Sequence, residues 1–214
     1  MSSASKGSEL AECRPAARTN QITRAFDFIC AAVGLVVLSP LFVVVAIAVK
    51  FDDRGPVLYT QDRVGRAFKT FRLHKFRSMV AGADRHGLLT SSGDSRLTRV
   101  GRLLRRSKVD ELPQLLNVLR GDMQLVGARP EVDKYVQMFR QQYAELLEDR
   151  PGITDPASLA YRHEEQILSA GRVENQYVEE ILPAKLELSL DYQRRRTFFS
   201  DVGLLFKTLL SLFK

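Results

Sequence analysis

One uncharged run limits what this chain can fold into more than any other feature. The run FICAAVGLVVLSPLFVVVAIAV extends over 22 residues from Phe28 to Val49. As one straight helix it would be about 33 Å long, enough to span a bilayer core of roughly 30 Å. Buried helices of globular proteins rarely run this long without a polar residue, and the run lies too far from the N-terminus for an ordinary signal peptide. We therefore expect a membrane anchor.

Ser39 and Pro40 interrupt this run near its centre. Proline in a helix interior costs ~3 kcal/mol and biases the preceding residue away from helical geometry. Basic residues flank the run on both sides: Arg14, Arg18, Arg24, Lys50 and Arg54. Because positive residues favour the cytoplasmic side, the pattern predicts a re-entrant anchor over residues 22–50 that breaks at Ser39 and Pro40. A kinked spanning helix is the alternative, since transmembrane helices tolerate proline.

The remaining pattern predicts an α+β fold that is mostly helical with a small β-hairpin. Residues 1–21 have no periodicity and are expected to form a mobile tail. Residues 56–76 alternate apolar and polar side chains around Gly65, which is typical of a hairpin. A short helix should end at Gly121, and residues 131–148 should form one longer amphipathic helix. Residues 51–214 show no internal repeat and no second domain.

The last predicted helix, near residues 198–214, carries a broad apolar face. The side chains on that face are Phe198, Phe199, Val202, Leu205, Phe206, Leu209, Leu210 and Phe213. Such a helix either packs on the domain or lies in the lipid headgroup region. The fold prediction therefore includes a re-entrant helix–break–helix and interfacial amphipathic helices.

The charge balance and the cysteines narrow the class of partner. A formal net charge of +7 favours an anionic partner, such as nucleic acid, acidic lipid or a phosphorylated substrate. Cys13 and Cys30 make no disulfide framework and fit a reducing compartment. No CxxC or HExxH occurs, so a zinc site is not expected.

The stretch KVDELPQ places Asp110 and Glu111 side by side before a helix. Ser107-x-x-Asp110 resembles a capping box, and Pro113 is tolerated in a first turn, so the acids could simply cap that helix. However, basic residues crowd the flanking segments: Lys75, Arg77, Arg102, Arg105, Arg106, Lys108, Arg120 and Arg129. Two acids among many cations suit a site where Mg²⁺ and basic side chains share phosphate oxygens. A carboxylate can also attack phosphorus to form an acyl phosphate.

Three ordered motifs carry a family resemblance. They are KFRSM (75–79), DSRLTRVGRLLRRSKVDELPQLLNVLRGDMQLVGARPE (94–131) and RPGIT (150–154), all after the membrane run. The chain resembles the bacterial sugar transferases, the monotopic polyprenyl-phosphate phosphoglycosyl transferases, in their short form. The resemblance covers roughly residues 22–210 and makes residues 51–214 a catalytic domain. It implies an enzyme at the cytoplasmic face of the bacterial inner membrane, within a glycan pathway.

The resemblance also implies a reaction and a role for particular residues. Asp110 matches the nucleophile that attacks the β-phosphate of a UDP-sugar, releases UMP and holds a covalent phosphosugar. Glu111 matches its catalytic partner, which would either hold Mg²⁺ together with Asp110 or handle the acceptor. A polyprenyl (undecaprenyl) phosphate then accepts the phosphosugar. Basic positions expected to bind substrate phosphate are Lys75, Arg77, Arg106 and Arg129. Membrane lipid is a further partner, nucleic acid is not expected, and a homodimer is compatible with the sequence.

Two departures from the family pattern affect the expected contacts to the donor. The usual Gly-Pro-Arg-Pro is Gly-Ala-Arg-Pro at residues 127–130, which keeps Arg129 but loses one rigid position. A Trp-x-Gln segment that often follows PGIT is replaced by DPASLAYRHEE. Candidates for donor recognition in this segment are Asp155, Tyr161, Arg162 and Glu164, although a solvated loop and helix start explains them equally well.

A membrane-anchored basic binding protein without catalysis is the alternative function. It would dock on nucleic acid or acidic lipid, and the acids at 110 and 111 would only cap a helix. Their position inside the basic patch opposes this reading, because they would repel a phosphate backbone unless a metal bridged them.

Overall fold

The computed structural model describes residues 21–87, 89–91, 93–168 and 172–211. Its helices are α1 Gln21–Val37, α2 Ser39–Asp53, α3 Arg99–Ser107, α4 Gln114–Arg120, α5 Asp133–Met138, α6 Arg140–Leu146, α7 Pro156–Ala160, α8 Glu164–Ile167, α9 Val173–Gln176, α10 Leu182–Arg195 and α11 Phe198–Ser211. Its strands are β1 Leu58–Val64, β2 Thr70–Phe76, β3 Gln124–Val126 and β4 Gly152–Thr154. This composition confirms the predicted α+β class. The predicted tail, apart from Gln21, lies outside the described residues, as does Phe213.

The apolar run forms two helices, as Ser39 and Pro40 predict. No single helix in the described part of the chain is long and apolar enough to cross a bilayer, whereas α1 and α2 pass that test together and are bent by 61°. Pro40 has no N–H for the carbonyl of Val36, one turn earlier. The Ser39 hydroxyl donates to that carbonyl over 2.7 Å. The Ser39 hydroxyl therefore replaces the hydrogen bond that Pro40 removes, and the Val36 carbonyl at the break keeps a partner.

The predicted hairpin is present and is fastened to α4. Strands β1 and β2 pair antiparallel, from Leu58 opposite Phe76 to Val64 opposite Thr70. Asn117 of α4 is fully buried. Its side-chain amide donates to the Arg72 carbonyl over 2.7 Å, and its Oδ1 accepts from the His74 backbone over 3.1 Å. These bonds fix β2 against α4. One of them is made to His74, the residue before Lys75.

Helix α1 also packs on α4, which joins the predicted anchor to the segment that carries Asp110 and Glu111. The Arg24 guanidinium donates to the carbonyls of Val118 (2.8 Å) and Leu119 (3.4 Å). These lie in the last turn of α4, where carbonyls lack helical partners. Gly121, with φ of 89°, ends α4 as predicted. The anchor is thus bonded directly to the helix that follows Asp110 and Glu111.

Two glycines allow the GARPE and RPGIT motifs to touch. Strands β3 and β4 pair in parallel, and the Gly127 N–H donates to the Thr154 carbonyl over 2.9 Å. The Gly152 N–H donates to the Ala128 carbonyl, also over 2.9 Å. A Cβ on Gly152 would lie 2.1 Å from the Gly127 nitrogen, so only glycine permits this approach. The contact holds the segment that leads into Arg129.

Three apolar clusters support these elements. One, around Tyr135, Tyr177 and Leu182, joins α5, α6 and α10. A second, around Ala31, Val118 and Met123, joins α1, α4, β3 and α11. The third, which includes Phe76, lies between α2, β2 and α3. The candidate catalytic elements α4 and β2 therefore contact two separate parts of the core.

The prediction of a single helix over residues 131–148 is wrong. The segment forms α5 and α6, which are separated at Phe139 with φ of −120° and ψ of 37°. Phe139 packs against the cluster that contains Tyr135 and Tyr143. The sequence has no glycine or proline at this point to signal a break. Tertiary packing therefore overrides local helix propensity here.

Candidate active site

Asp110 and Glu111 lie on a tight turn between α3 and α4. Helix α3 ends at Ser107, and Lys108 adopts a left-handed conformation with φ of 58°. A 3₁₀ turn, Val109–Glu111, then leads into α4. The predicted capping box is absent, because the Ser107 hydroxyl donates to the Leu103 and Leu104 carbonyls of its own helix. Asp110 and Glu111 are therefore not placed on this turn by a capping box at the start of α4.

Glu111 is held by two cations from distant parts of the chain. Arg129 donates from both terminal nitrogens to its two carboxylate oxygens, with Nη1 at 2.9 Å from Oε2. Lys75 Nζ lies 3.4 Å from Oε1. Burial would raise the pKa of Glu111, but the charges of Arg129 and Lys75 outweigh it and hold that pKa well below its usual range. Glu111 is thus a fixed anion with oriented oxygens.

Asp110 has the opposite environment, although it is the adjacent residue. Its side chain is only 5% exposed, and Oδ1 has no hydrogen-bond partner among the described residues. Burial, with the negative charge of Glu111 as a second cause, raises the pKa of Asp110 to about 6. The charges of Lys75 and Arg105 oppose that rise. Asp110 is therefore a buried carboxylate with a free oxygen, which is the state that a nucleophile or a metal ligand requires.

Burial also changes the pKa values of the two cations of the site. Burial lowers the pKa of Lys75 to about 8, although Glu111 opposes this. Arg129 has a pKa above its ordinary value, because the charge of Glu111 outweighs the effect of burial. Lys75 comes from β2 and Arg129 from the segment after β3. The structure thus brings together four of the predicted site residues from two of the three motifs.

Two predicted phosphate-binding residues lie elsewhere. Arg77 is 5% exposed and forms an ion pair with Asp53 at the end of α2, against Gly55, where any Cβ would collide with its guanidinium. Arg106 is exposed on α3. Neither residue contacts Glu111 or Asp110, and their binding to phosphate stays a prediction.

The candidates for donor recognition occupy several different environments. Asp155 is buried and caps α7, accepting from the Ser158 backbone over 2.7 Å and from the Ser189 hydroxyl. Arg162 donates to the carbonyl of Ser211 at the end of α11. Tyr161 packs on the apolar cluster around Tyr177. These contacts account for the three residues structurally.

Glu164 is linked to the site through its charge. It accepts from Lys185 over 2.7 Å, and its charge acts on Arg129. Because Arg129 holds Glu111, Glu164 belongs to the electrostatic surroundings of the site. Its contact with a donor stays a prediction.

Sequence reasoning missed a supporting network behind Arg129. Glu131 pairs with Arg63 of β1 and accepts from the Tyr177 hydroxyl over 2.7 Å. The charges of Arg63 and Lys185 outweigh burial and lower the pKa of Glu131. The one sequence signal for this network was Glu131 itself, the acid at the end of GARPE. Its partners lie 68 and 46 residues away in sequence, so no local pattern could identify them.

The acidic pair has the donor atoms that Mg²⁺ prefers. The described residues contain no cluster of three or more His, Cys, Asp or Glu suited to a metal. Mg²⁺, however, commonly uses only one or two carboxylates, with substrate phosphates and water as its other ligands. The unpartnered Oδ1 of Asp110 fits that role, and the Glu111 oxygens carry further lone pairs beside those used by Arg129. The residues present therefore fit the ion.

Comparison with known proteins agrees with this geometry. A family model described as bacterial sugar transferase matches residues 18–214. The chain belongs to the bacterial sugar transferase family. This membership confirms the resemblance carried by the three motifs.

Curated relatives in this family include large and small proteins. A UDP-N-acetylgalactosamine-undecaprenyl-phosphate N-acetylgalactosaminephosphotransferase of Aeromonas hydrophila is 34% identical over 88% of this chain and 43% of its own length. An undecaprenyl-phosphate glucose phosphotransferase of Komagataeibacter xylinus is 36% identical over 87% of this chain and 35% of its own length. A UDP-glucose:undecaprenyl-phosphate glucose-1-phosphate transferase of Caulobacter vibrioides is 34% identical over 88% of this chain and 68% of its own length. The chain thus spans less than half the length of the first two relatives.

Proposed function

We propose that this protein transfers a phosphosugar from a UDP-sugar to a membrane polyprenyl phosphate, such as undecaprenyl phosphate, and releases UMP. The observation that carries the proposal is the buried Asp110 with a free Oδ1, next to a Glu111 that is neutralised by Arg129 and Lys75. The names of the family relatives support the polyprenyl acceptor and the sugar-phosphate group. The reaction would be the first membrane step of a glycan pathway, at the cytoplasmic face of the inner membrane.

The first half-reaction uses Asp110 as the nucleophile. One carboxylate oxygen attacks the β-phosphorus of the donor, and the bond from that phosphorus to the α,β-bridging oxygen breaks. UMP leaves with the bonding electron pair, and Asp110 holds the phosphosugar as an acyl phosphate. A carboxylate with a pKa near 6 is more nucleophilic than an ordinary aspartate and is still largely ionised at neutral pH.

The second half-reaction returns Asp110 to its starting state. A phosphate oxygen of the polyprenyl phosphate attacks the same phosphorus, and the bond from phosphorus to the Asp110 oxygen breaks. Lys75 and Arg129 supply positive charge next to the developing phosphoryl charge in both steps. Mg²⁺ held by Asp110 and Glu111 would neutralise further phosphate charge.

The noncatalytic alternative finds less support. A binding surface for nucleic acid needs exposed cations, whereas Lys75 and Arg129 are mostly buried and paired with Glu111. A buried acid with a raised pKa serves no such surface. The features instead match those of catalytic sites, where burial and charge move the pKa values of neighbouring acids apart.

The test is UMP release from a panel of UDP-sugars by the purified protein in lipid, with Mg²⁺ and polyprenyl phosphate. We expect release from one donor, abolished by EDTA and by Asp110→Asn. Asp62→Asn, which changes an exposed carboxylate on β1, is the matched control and should keep full activity. Release that persists in Asp110→Asn would contradict the nucleophile assignment, and no release from any donor by folded protein would contradict the proposed reaction.

A further inference from the structure

Gln114 is a buried amide without a partner in the part of the chain that the structure describes. Its side chain is 1% exposed, and neither Nε2 nor Oε1 makes a hydrogen bond there. Buried amides elsewhere in the structure are paired. Gln124, also 1% exposed, donates to the Arg150 carbonyl over 2.7 Å, and Asn117 bonds on both sides of its amide. Other buried polar atoms of the described residues, such as His74 Nδ1 and Arg77 Nη1, also lack a partner, but Gln114 differs from Gln124 and Asn117 in that both polar atoms of its amide do.

Gln114 lies four residues after Asp110, across the tight turn between α3 and α4. This turn is closed by bonds between residues three apart, from the Leu112 N–H to the Val109 carbonyl (3.2 Å) and from the Leu115 N–H to the Leu112 carbonyl (3.1 Å). Four residues of such a turn rise only about 8 Å. The long Gln114 side chain therefore starts within reach of the space around Asp110, whose Oδ1 is also buried and unpartnered. Two neighbouring side chains thus leave three polar atoms without protein partners.

Unpaired buried donors and acceptors destabilise a folded protein, and a ligand that completes the bonds is one reason for a native structure to retain them. We propose that the Gln114 side-chain amide is a catalytic group, whose Nε2 donates to a non-bridging oxygen of the phosphoryl group transferred to Asp110. This inference rests on the proposed function. The donor bond would strengthen as negative charge moves onto the phosphoryl oxygens during attack by Asp110.

The position explains why glutamine suits the site. The amide can donate to a phosphoryl oxygen without adding the charge that Lys75 and Arg129 already supply. A carboxylate at the same place would repel both the phosphoryl group and Asp110. An apolar side chain of the same length would fill the space but leave the phosphoryl oxygen without this donor.

The experiment compares two glutamines of equal burial. Gln114→Met and Gln114→Glu are assayed for single-turnover UMP release, donor KM and the amount of covalent phosphosugar adduct by intact-protein mass spectrometry. Gln124→Met is the matched control. Thermal unfolding of all variants is measured in the same lipid preparation.

For Gln114→Met we expect at least a tenfold loss in the rate of UMP release, with donor KM changed less than threefold. Its melting temperature should equal or exceed that of the wild type, because no protein hydrogen bond is lost. Gln114→Glu should be slower still. Gln124→Met should instead melt about 3–6 °C lower and keep its rate below that temperature, because the Arg150 carbonyl loses its donor.

A loss smaller than tenfold in Gln114→Met would overturn the inference, and so would a fall in melting temperature matching that of Gln124→Met, which would indicate a structural role. Gln114→Glu faster than Gln114→Met would also overturn it, because the carbonyl oxygen would then be the working atom. Wild-type activity separates the two proposals. If the wild type releases UMP and requires Asp110, the proposed function stands whatever the Gln114 variants do.

Discussion

At the scale of single residues, the main finding is that two adjacent carboxylates have different electrostatic environments. Asp110 is buried without a partner for Oδ1, and its pKa is raised, whereas Glu111 is buried between Arg129 and Lys75, and its pKa is lowered. In the proposed function, the first acid is the reactive group and the second a fixed anion. Such a division of roles between neighbouring acids is typical of enzymes that use both.

These pKa values predict a bell-shaped pH dependence for UMP release. Asp110 must be ionised to attack, so the rate should rise with pH and reach the midpoint of that rise at about pH 6. Lys75 loses its proton near pH 8, which removes a charge from the phosphate site, so the rate should fall above that pH. The measurement is the initial rate of the first half-reaction from pH 5 to 9.

Lys75→Met tests the assignment of both limbs of this profile, the acidic limb where the rate rises with pH and the basic limb where it falls. The charge of Lys75 favours ionised Asp110, so its removal should raise the pKa of Asp110 and move the acidic limb to higher pH. The basic limb should disappear. Lys69→Met, which changes an exposed lysine in the hairpin turn, should leave both limbs in place. An acidic limb that stays at pH 6 in Lys75→Met would contradict the electrostatic coupling.

The sequence predicted which residues form this site better than it predicted their states. The adjacency of Asp110 and Glu111 and the basic character of Lys75 and Arg129 follow from the motifs. The opposed pKa values depend on burial and on partners 18 and 36 residues from Glu111, which local spacing does not define. Gln114 gave no signal as an individual residue, because its significance lies in hydrogen bonds that the fold leaves unmade.

At the scale of elements, local chemistry predicted turns and breaks where special residues cause them. Ser39-Pro40 breaks the apolar run, Gly65 lies at the hairpin turn, and Gly121 ends α4. The break at Phe139 was not predicted, because it follows from packing against the core rather than from a helix-breaking residue. The expected capping box at Ser107 is absent because its hydroxyl donates to the Leu103 and Leu104 carbonyls of α3 instead.

The break between α1 and α2 should determine membrane topology. In Pro40→Leu the missing N–H is restored, and α1 and α2 can merge into one helix long enough to span a bilayer. In a Cys30→Ser background, Cys13 is the single thiol and reports the side of the N-terminal segment. We expect an impermeant maleimide to label Cys13 in inside-out vesicles of the parent protein, and from the opposite side in a substantial fraction of Pro40→Leu molecules.

Pro56→Leu, outside the helix break, is the control and should keep the labelling pattern of the parent. Labelling of the parent from the periplasmic side would contradict a re-entrant anchor and favour the kinked spanning helix. Unchanged labelling in Pro40→Leu would show that the bend does not depend on proline.

At the scale of the whole molecule, two exposed apolar surfaces begin next to each other. The anchor surface of α1 and α2 includes Ile29, Val33, Val36, Val37, Val43, Val44 and Ile47. The α11 surface includes Phe199, Val202, Phe206, Leu209 and Leu210. Phe26 of α1 and Phe198 of α11 contact edge to face, with ring centroids 5.3 Å apart. Exposed apolar surface of this extent is typical of membrane attachment.

The α11 surface should matter more for the lipid substrate than for the soluble donor. If α1 and α2 form the membrane anchor that we propose, charges on α11 should leave the first half-reaction nearly unchanged. They should instead tilt the domain away from the headgroup region, where the polyprenyl phosphate is presented. We expect Phe206→Glu with Leu210→Glu to release UMP in a single turnover within threefold of the wild-type rate. Transfer to polyprenyl phosphate in vesicles should fall at least tenfold.

The control adds the same charge to a polar surface, with Gln141→Glu and Gln142→Glu on the exposed side of α6. This pair should leave both half-reactions unchanged, since it covers no apolar area. Equal slowing of both half-reactions by the α11 charges would indicate damage to the fold, whereas unchanged transfer to the acceptor would show that α11 does not contact lipid. Selective slowing of the second step would show that the orientation of the domain at the membrane is part of the mechanism. A single site that serves a soluble donor and then a lipid acceptor needs that orientation only for the second substrate.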